Sequence, residues 1–304
     1  MWNKLIESVP NISEGRRTSV IDEIVAAVDG DGIRVLDVQS DPDHNRSVVT
    51  IVGRPEMIGE GVIRLVDRAV QLIDLGKHTG QHPRMGAVDV IPFIPVKGTT
   101  IEECISLSRD VGQEIAERFG IPVYLYERSA TSAKRRNLAT IRRGEFEGFA
   151  EKILLPEWKP DFGEKRVHPT AGVTAIGARQ FLIAYNINLA TTDVKIAQQI
   201  AEAVRHRSGG LRFVKALGFS LEDRGIVQVS MNLTDFAKTP IHRVFEMVVR
   251  EAERYGVMVI GSEIAGTVPR SALIAAAEYY LRMAGFSESL ILEERIEEAL
   301  SGDS

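Results

Sequence analysis

The chain has 304 residues, 44% hydrophobic and 26% charged, the make-up of a globular protein long enough to bury a core in each of two packed subdomains. A net charge of −5 excludes the dense basic face of a general nucleic-acid binder, and no stretch approaches the ~20 apolar residues of a membrane helix. The start, Met1-Trp2-Asn3-Lys4-Leu5, lacks a signal-peptide pattern, and a single cysteine, Cys104, excludes an internal disulfide, so a soluble cytoplasmic protein with Cys104 buried in a helix is expected.

Residues 4–9 read as an apolar strand, and Val20, Ile21, Ile24, Val25 and Val28 then recur at helical spacing. Between them, Val9-Pro10-Asn11-Ile12-Ser13-Glu14-Gly15 sets Asn11, Ser13 and Glu14 at a strand-to-helix edge, where α/β proteins commonly line a ligand cleft. The plainer reading has Asn11 or Ser13 capping the helix and Gly15 turning the chain. Residues 33–38 and 47–52 are β-rich runs about the turn Ser40-Asp41-Pro42-Asp43-His44-Asn45, which either sets a carboxylate beside a site or is a simple hairpin. Pro55 suits the first turn of a helix with Ile58, Val62, Leu65, Val66, Ala69 and Ile73 on one face, expected to stop near Gly76.

The stretch His78-Thr79-Gly80-Gln81-His82-Pro83-Arg84-Met85-Gly86-Ala87-Val88-Asp89 carries the most chemistry. Two histidines four apart can bind zinc on a helix, but Gly80 and Pro83 argue against a helix and no Glu follows His78, so no metal is expected. Two imidazoles among Gly, Thr, Gln and Arg suit a polar pocket wall, with catalysis and a structural loop role equally open on spacing alone. An imidazole with a pKa near ~6.5 can both take and give a proton at neutral pH, which transfer between amines requires.

A further helix opens on a capping box, Thr100 with Glu103, and stops at Gly120, before a strand at residues 123–126. Residues 128–177 show little periodic pattern and read as a linker or a binding loop. Within them Lys134-Arg135-Arg136 and Arg142-Arg143 form either a cradle for a multiply charged anionic tail or a solvated face. Residues 161–174, Gly-rich with polar donors, fit a loop folded over a planar ligand or a plain linker.

The second half repeats the grammar. A strand at 180–189 precedes a helix bearing Val194, Ala197, Ile200 and Val204; strands at 211–217 and 226–231 precede a helix opened by Thr239-Pro240, and a strand at 257–260 closes the unit. The order β-α-β-β-α-β is that of a ferredoxin-like sandwich. The expected fold is therefore α/β (α+β): two ferredoxin-like mixed-sheet subdomains, residues 1–178 and 179–304, with a ligand cleft between their sheets. No Walker lysine motif occurs, and Gly30-Asp31-Gly32 lacks the third glycine of a dinucleotide fingerprint.

Taken together, Val9-Pro10-Asn11-Ile12-Ser13-Glu14-Gly15, the run from His82-Pro83-Arg84-Met85-Gly86-Ala87 through Val96, Pro122-Val123-Tyr124-Leu125-Tyr126, Pro160-Asp161-Phe162-Gly163 and Ala184-Tyr185-Asn186-Ile187-Asn188-Leu189 resemble the glutamate formimidoyltransferase family over residues 4–280. The resemblance is to the transferase without its cyclodeaminase domain. It implies transfer of a formimino group from N-formimidoyl-L-glutamate to N5 of tetrahydrofolate in histidine degradation, and two α/β subdomains enclosing a folate tunnel. His82 falls at the family's catalytic histidine. Gly163, Glu164, Lys165, Arg166, Val167, His168, Pro169, Thr170, Ala171 and Gly172 fall at its folate-binding loop, although His168-Pro169 departs from the animal enzymes. The carboxylate that assists the histidine in animal members falls at Gln39 here, which leaves Asp41 or Asp43 as its substitute. Asn11, Glu14 and Arg46 are the remaining expected contacts to folate or donor, and the basic cluster gains the folate's glutamate tail as a ligand. Related readings use formimidoylglycine, N-formylglutamate or 5-formyltetrahydrofolate, or bind folate without turnover. Partners are expected to be small molecules and a second copy in a homodimer.

Overall fold

The protein is described by a computed structural model covering residues 2–80 and 83–301, so Gln81 and His82 lie outside the described residues. The chain divides into two compact units, Met1–Gln180 and Phe181–Ser304.

In chain order the first unit holds β1 (Leu5–Ser8), β2 (Asn11–Ile12), α1 (Thr18–Ala26), β3 (Ile33–Asp41), β4 (Arg46–Gly53), α2 (Pro55–Leu72), β5 (Val88–Lys97), α3 (Ile101–Phe119), β6 (Val123–Leu125), α4 (Leu138–Arg142), α5 (Glu145–Lys152) and β7 (Thr174–Ala178). β1 and β2 are one central strand interrupted at Val9-Pro10, since both pair antiparallel with β4 on one side and β5 on the other. With β3 beyond β4, the order β3-β4-β1-β5 is that of a ferredoxin-like sheet. β7 then adds parallel to β5, and β6 parallel to β7, which makes seven strands.

One face of this sheet buries the apolar stripes of α1, α2 and α3. Ile6, Ile51, Ile91 and Phe93 from the strands meet Ile24, Ile58, Val62, Leu65, Cys104, Val111 and Ile115 from the helices. Each such side chain contributes on the order of 1.5–3 kcal/mol when fully buried, so this layer dominates the unit's stability. The capping box at the start of α3 is present, with Thr100 Oγ1 accepting from Glu103 N and the Glu103 carboxylate accepting from Thr100 N, and Gly120 ends the helix with φ 66°. α2 stops at Leu72, short of Gly76, because Ile73 turns extended and the Asp74 carboxylate captures Gly76 N for a separate 3-10 turn. Burial pushes the Cys104 thiol up to about 12, which leaves it an inert packing group.

The opposite face is covered in part by α4 and α5, whose Ile141 and Phe149 pack with Ile153 on Val90, Tyr124, Tyr126 and Ala175. These are the helices of the segment without visible periodicity: at 5 and 8 residues, each is too short to display an apolar stripe in sequence. The rest of that face mixes polar groups with Val48, Val52 and Ile94. Strand register puts Glu7, Asn11, Asp37, Gln39, Asp41, Arg46 and Thr50 on it together.

The second unit holds β8 (Ile183–Leu189), α6 (Val194–Val204), β9 (Val214–Leu221), β10 (Ile226–Leu233), α7 (Ile241–Arg254), β11 (Val259–Ala265), α8 (Arg270–Leu281) and α9 (Leu292–Ser301). The antiparallel order β11-β8-β10-β9 repeats the ferredoxin-like arrangement. α6 and α7 bury Ile200, Val204, Val244 and Val248 against Tyr185, Ile187, Val227 and Val229. The fold is thus α+β, with a mixed sheet and an antiparallel sheet in two subdomains. Among the described residues no helix is long and apolar enough to cross a membrane.

Candidate active site

Three segments of the first unit interlock through their backbones. Ser13 N donates to Ala87 O (2.8 Å), and Ser13 Oγ to Gly86 O (2.7 Å). Ala87 N donates to Ala171 O (2.9 Å), Val173 N to Met85 O (2.9 Å), and Leu75 N to Thr170 O (2.8 Å). The strand-to-helix edge, the segment after His82 and the loop of residues 163–172 therefore share one junction. The approach needs glycine: Gly172 has φ +69°, and a Cβ there would lie 2.1 Å from Met85 O.

The loop has a fixed base and an exposed crest. His168 and Gly172 exchange backbone bonds (3.1 and 3.0 Å), and Ala171 and Gly172 are buried. Gly163, Glu164, Lys165, Arg166 and Pro169 are exposed, while Val167, His168 and Thr170 are half-buried. His168 Nδ1 accepts from Ala171 N (2.9 Å), so the ring is neutral there; burial and the Arg166 charge lower its pKa.

The segment that follows His82 is pinned from two sides. Buried Asp89 accepts from Met85 N (2.7 Å) through one oxygen and from Arg142 Nε (2.6 Å) through the other. The Arg84 guanidinium grips the Glu147 carboxylate at 2.6 and 2.9 Å, and its Nε donates to His78 Nδ1 (3.2 Å). A guanidinium only donates, so His78 Nδ1 is the acceptor and Nε2 carries the proton that bonds Asn45 O (2.9 Å). Burial lowers the His78 pKa, with the Asn45 bond opposing. With both nitrogens committed, His78 is a structural histidine. Among the described residues no cluster of three or more His, Cys, Asp or Glu side chains has metal-holding geometry.

Asn45 continues the network, its Oδ1 accepting from Gly15 N (2.9 Å) and its Nδ2 donating to Thr79 O (3.0 Å). Neither Asn11 nor Ser13 caps α1. Asn11 Nδ2 donates to Val9 O (3.0 Å), and no side chain caps the helix; the Glu14 carboxylate braces the turn ahead of it, accepting from Arg16 N and Arg17 N (2.9 Å each) and from Arg17 Nε (2.6 Å). Burial raises the Glu14 pKa, but these bonds outweigh it and hold the carboxyl below its usual range. A cleft of about 540 Å³ opens here, lined by Glu14, Arg17, Asn45, Lys77, His78 and Thr170 among others. That volume suits a drug-sized ligand.

Asp41 is half-exposed, and its carboxylate is held by its own turn: Oδ1 accepts from Asp43 N and His44 N (2.9 Å each), and Oδ2 meets His44 Nδ1 at 2.6 Å. Those bonds override a burial contribution and hold its pKa below the ordinary value. Arg46 pairs with Asp41 in the sheet register and lies within the fields of Asp89 and Arg142. Gln39 Nε2 donates to Asp37 Oδ2 (2.8 Å).

The basic cluster divides. Arg135 is buried against Asp161 (2.7 Å) and Arg142 against Asp89, so these guanidiniums serve the chain's own carboxylates, while Lys134, Arg136 and Arg143 are exposed. Sequence reasoning passed over Asp89, Arg84 and Arg142 as positioning residues. An acid just inside an apolar strand, and arginines inside a cluster taken as one surface, were the available signals. It also passed over Glu7, which sits mid-strand in β1, only 4% exposed, with Oε2 buried and without a hydrogen-bond partner. Burial lifts its pKa to about 7, with the Arg179 charge opposing.

Two ferredoxin-like units in tandem, the first carrying an interlocked loop junction, define a two-subdomain α+β class of protein. The N-terminal subdomain of the formiminotransferase domain matches residues 5–179, and the formiminotransferase domain matches residues 184–301. The chain belongs to the formiminotransferase family, a family of transferases. It is 49% identical over 295 residues to a glutamate formimidoyltransferase of Streptococcus pyogenes serotype M1, covering 96% of this chain and 99% of that one. A glutamate formimidoyltransferase of Thermoplasma acidophilum is 48% identical over 300 residues, 97% and 98% of the two chains. The formimidoyltransferase-cyclodeaminase of Sus scrofa is 46% identical over 284 residues, which is 91% of this chain and 52% of that protein.

Proposed function

We propose that the chain moves the formimidoyl group of N-formimidoyl-L-glutamate to N5 of tetrahydrofolate, giving 5-formimidoyltetrahydrofolate and glutamate. The observation that carries this reading is the match of both formiminotransferase subdomains in order, with relatives named for this donor aligned over nearly their whole length.

In the reaction the N5 lone pair attacks the amidine carbon of the donor. N5 then loses its proton, the bond from that carbon to the glutamate nitrogen breaks, and that nitrogen gains a proton. His82 takes the first proton and returns the second, a task for which an ordinary imidazole is suited near neutral pH. Arg84, Met85 and Asp89 hold the segment that follows it. The crest Gly163 to Arg166 closes on the pterin from the base at Ala171 and Gly172, with Asn11, Glu14 and Arg46 as further contacts. Exposed Lys134, Arg136 and Lys165 receive the glutamate tail, and Asp41 assists His82. Reducing conditions suit the lone cysteine, so the enzyme works in the cytoplasm, as a homodimer.

Tetrahydrofolate supplied with N-formimidoylglutamate, formimidoylglycine or N-formylglutamate tests the donor: turnover is expected with the first, and turnover with another alone overturns the assignment. His82→Ala should lower turnover on the order of 10²–10⁴-fold while folate binding persists. Unchanged turnover refutes the acid/base role. In the same assay Asp41→Asn should shift the pH profile, and an unmoved profile removes Asp41 from the mechanism.

A further inference from the structure

We infer that Glu7 is a substrate-binding residue, its carboxylate receiving two parallel N–H donors from a planar N–C–N group of the ligand. This rests on the proposed reaction, whose two substrates both carry such a group.

Glu7 occupies the middle of the sheet, opposite Val52 on β4 and Ile94 on β5. Its face also carries Asn11, Arg46 and Thr50, with Val52 and Ile94 beside it. A carboxylate buried with one oxygen unbonded weakens a fold, since a buried polar group without a partner costs on the order of 1–3 kcal/mol. An apolar strand residue such as Val or Leu would pack this position better, so nothing in the packing calls for an acid. The neighbouring charge, Arg179, has its backbone fixed by Arg179 N donating to Phe93 O (3.0 Å), and its side chain is shared with Tyr126. It keeps a carboxylate available at this depth without occupying Oε2. A pKa near 7 supports the same use, because a carboxyl half-ionised at neutral pH becomes fully anionic when a donor fork arrives.

A carboxylate takes a fork of two N–H donors through two bonds, as it takes a guanidinium. The formimidoyl amidinium presents such a fork, and so does the 2-amino-4-oxo edge of the reduced pterin, through N3–H and the 2-amino group. The chemistry is shared, and the two arms of one experiment separate the sources.

Glu7→Gln keeps the shape and turns one acceptor oxygen into a donor amide, which clashes with the fork. In the full-length enzyme, tetrahydrofolate binding is read by titration calorimetry and the KM for N-formimidoylglutamate by initial rates. A tenfold or greater weakening of folate binding assigns Glu7 to the pterin edge; a comparable rise in donor KM with folate binding unchanged assigns it to the amidinium. Glu7→Asp, which retains the charge, should recover part of the loss. Both arms within twofold of wild type overturn the inference. A wild-type enzyme inactive on the formimidoyl donor sinks the proposed reaction instead, and the folate arm alone then decides Glu7.

Discussion

Replacing Glu7 with glutamine should make the protein more stable at pH 8 and leave it nearly unchanged at pH 4.5. Folding carries this carboxyl from its ordinary 4.5 to about 7. Each pKa unit corresponds to ~1.4 kcal/mol, so the ionised side chain weighs against the native state by about 3 kcal/mol. The sign follows from the direction: a raised native pKa means the stability contributed by the proton is fully present below about pH 4.5 and is lost as pH rises through about 7. Glutamine does not titrate. The difference between variant and wild type should therefore open across that window and level off above it. Both tryptophans, Trp2 and Trp158, belong to the first unit, so urea denaturation followed by tryptophan fluorescence at pH 5, 6, 7 and 8 reads the relevant half of the molecule. A difference that stays constant with pH, or a variant less stable than wild type at pH 8, would refute the reasoning. Together with weakened ligand binding, such a gain in stability separates a binding role from a structural one, since a structural acid would lose stability on replacement.

Asp89→Ala leaves Met85 N and the Arg142 guanidinium without their acceptor in a buried setting. A loss of about 3–5 kcal/mol is expected in the same denaturation assay, and a loss below about 1 kcal/mol would show that water or another group replaces the carboxylate. Gly172→Ala forces a side chain into a left-handed backbone 2.1 Å from Met85 O. It should lower stability by about 1–3 kcal/mol and raise the KM for tetrahydrofolate, and an unaltered KM would detach the loop base from folate binding.

What could be read from the sequence was whatever repeats on a short period or carries its own punctuation. Alternating apolar strands, long helices such as α2 and α3 and the Thr100–Glu103 capping box were visible because the physics that makes them is local. The two helices over the second face of the first sheet were not visible, because α4 and α5 are short and their apolar positions make sense only against Tyr124 and Val90. Glu14 illustrates the same limit at the site: Asn11 and Ser13 are the usual capping types, yet they bond Val9 O and Gly86 O, the helix starts without a side-chain cap, and the Glu14 carboxylate ties down the turn before it. Arg135 and Arg142 belong to a basic run in sequence and to buried pairs in space, and only the placement of Asp161 and Asp89 decides between the two. Glu7 could not be judged at all without the sheet that surrounds it.

The interrupted central strand has a consequence for how the molecule opens. Because β1 and β2 hold the same two neighbours on either side of Val9-Pro10, the stretch ahead of the break and the stretch beyond it can release separately. The short two-residue half leads straight into Ser13, which is bonded to the segment following His82. Local fraying there would loosen the junction while the longer half keeps the sheet whole, which would uncouple breathing at the junction from global unfolding.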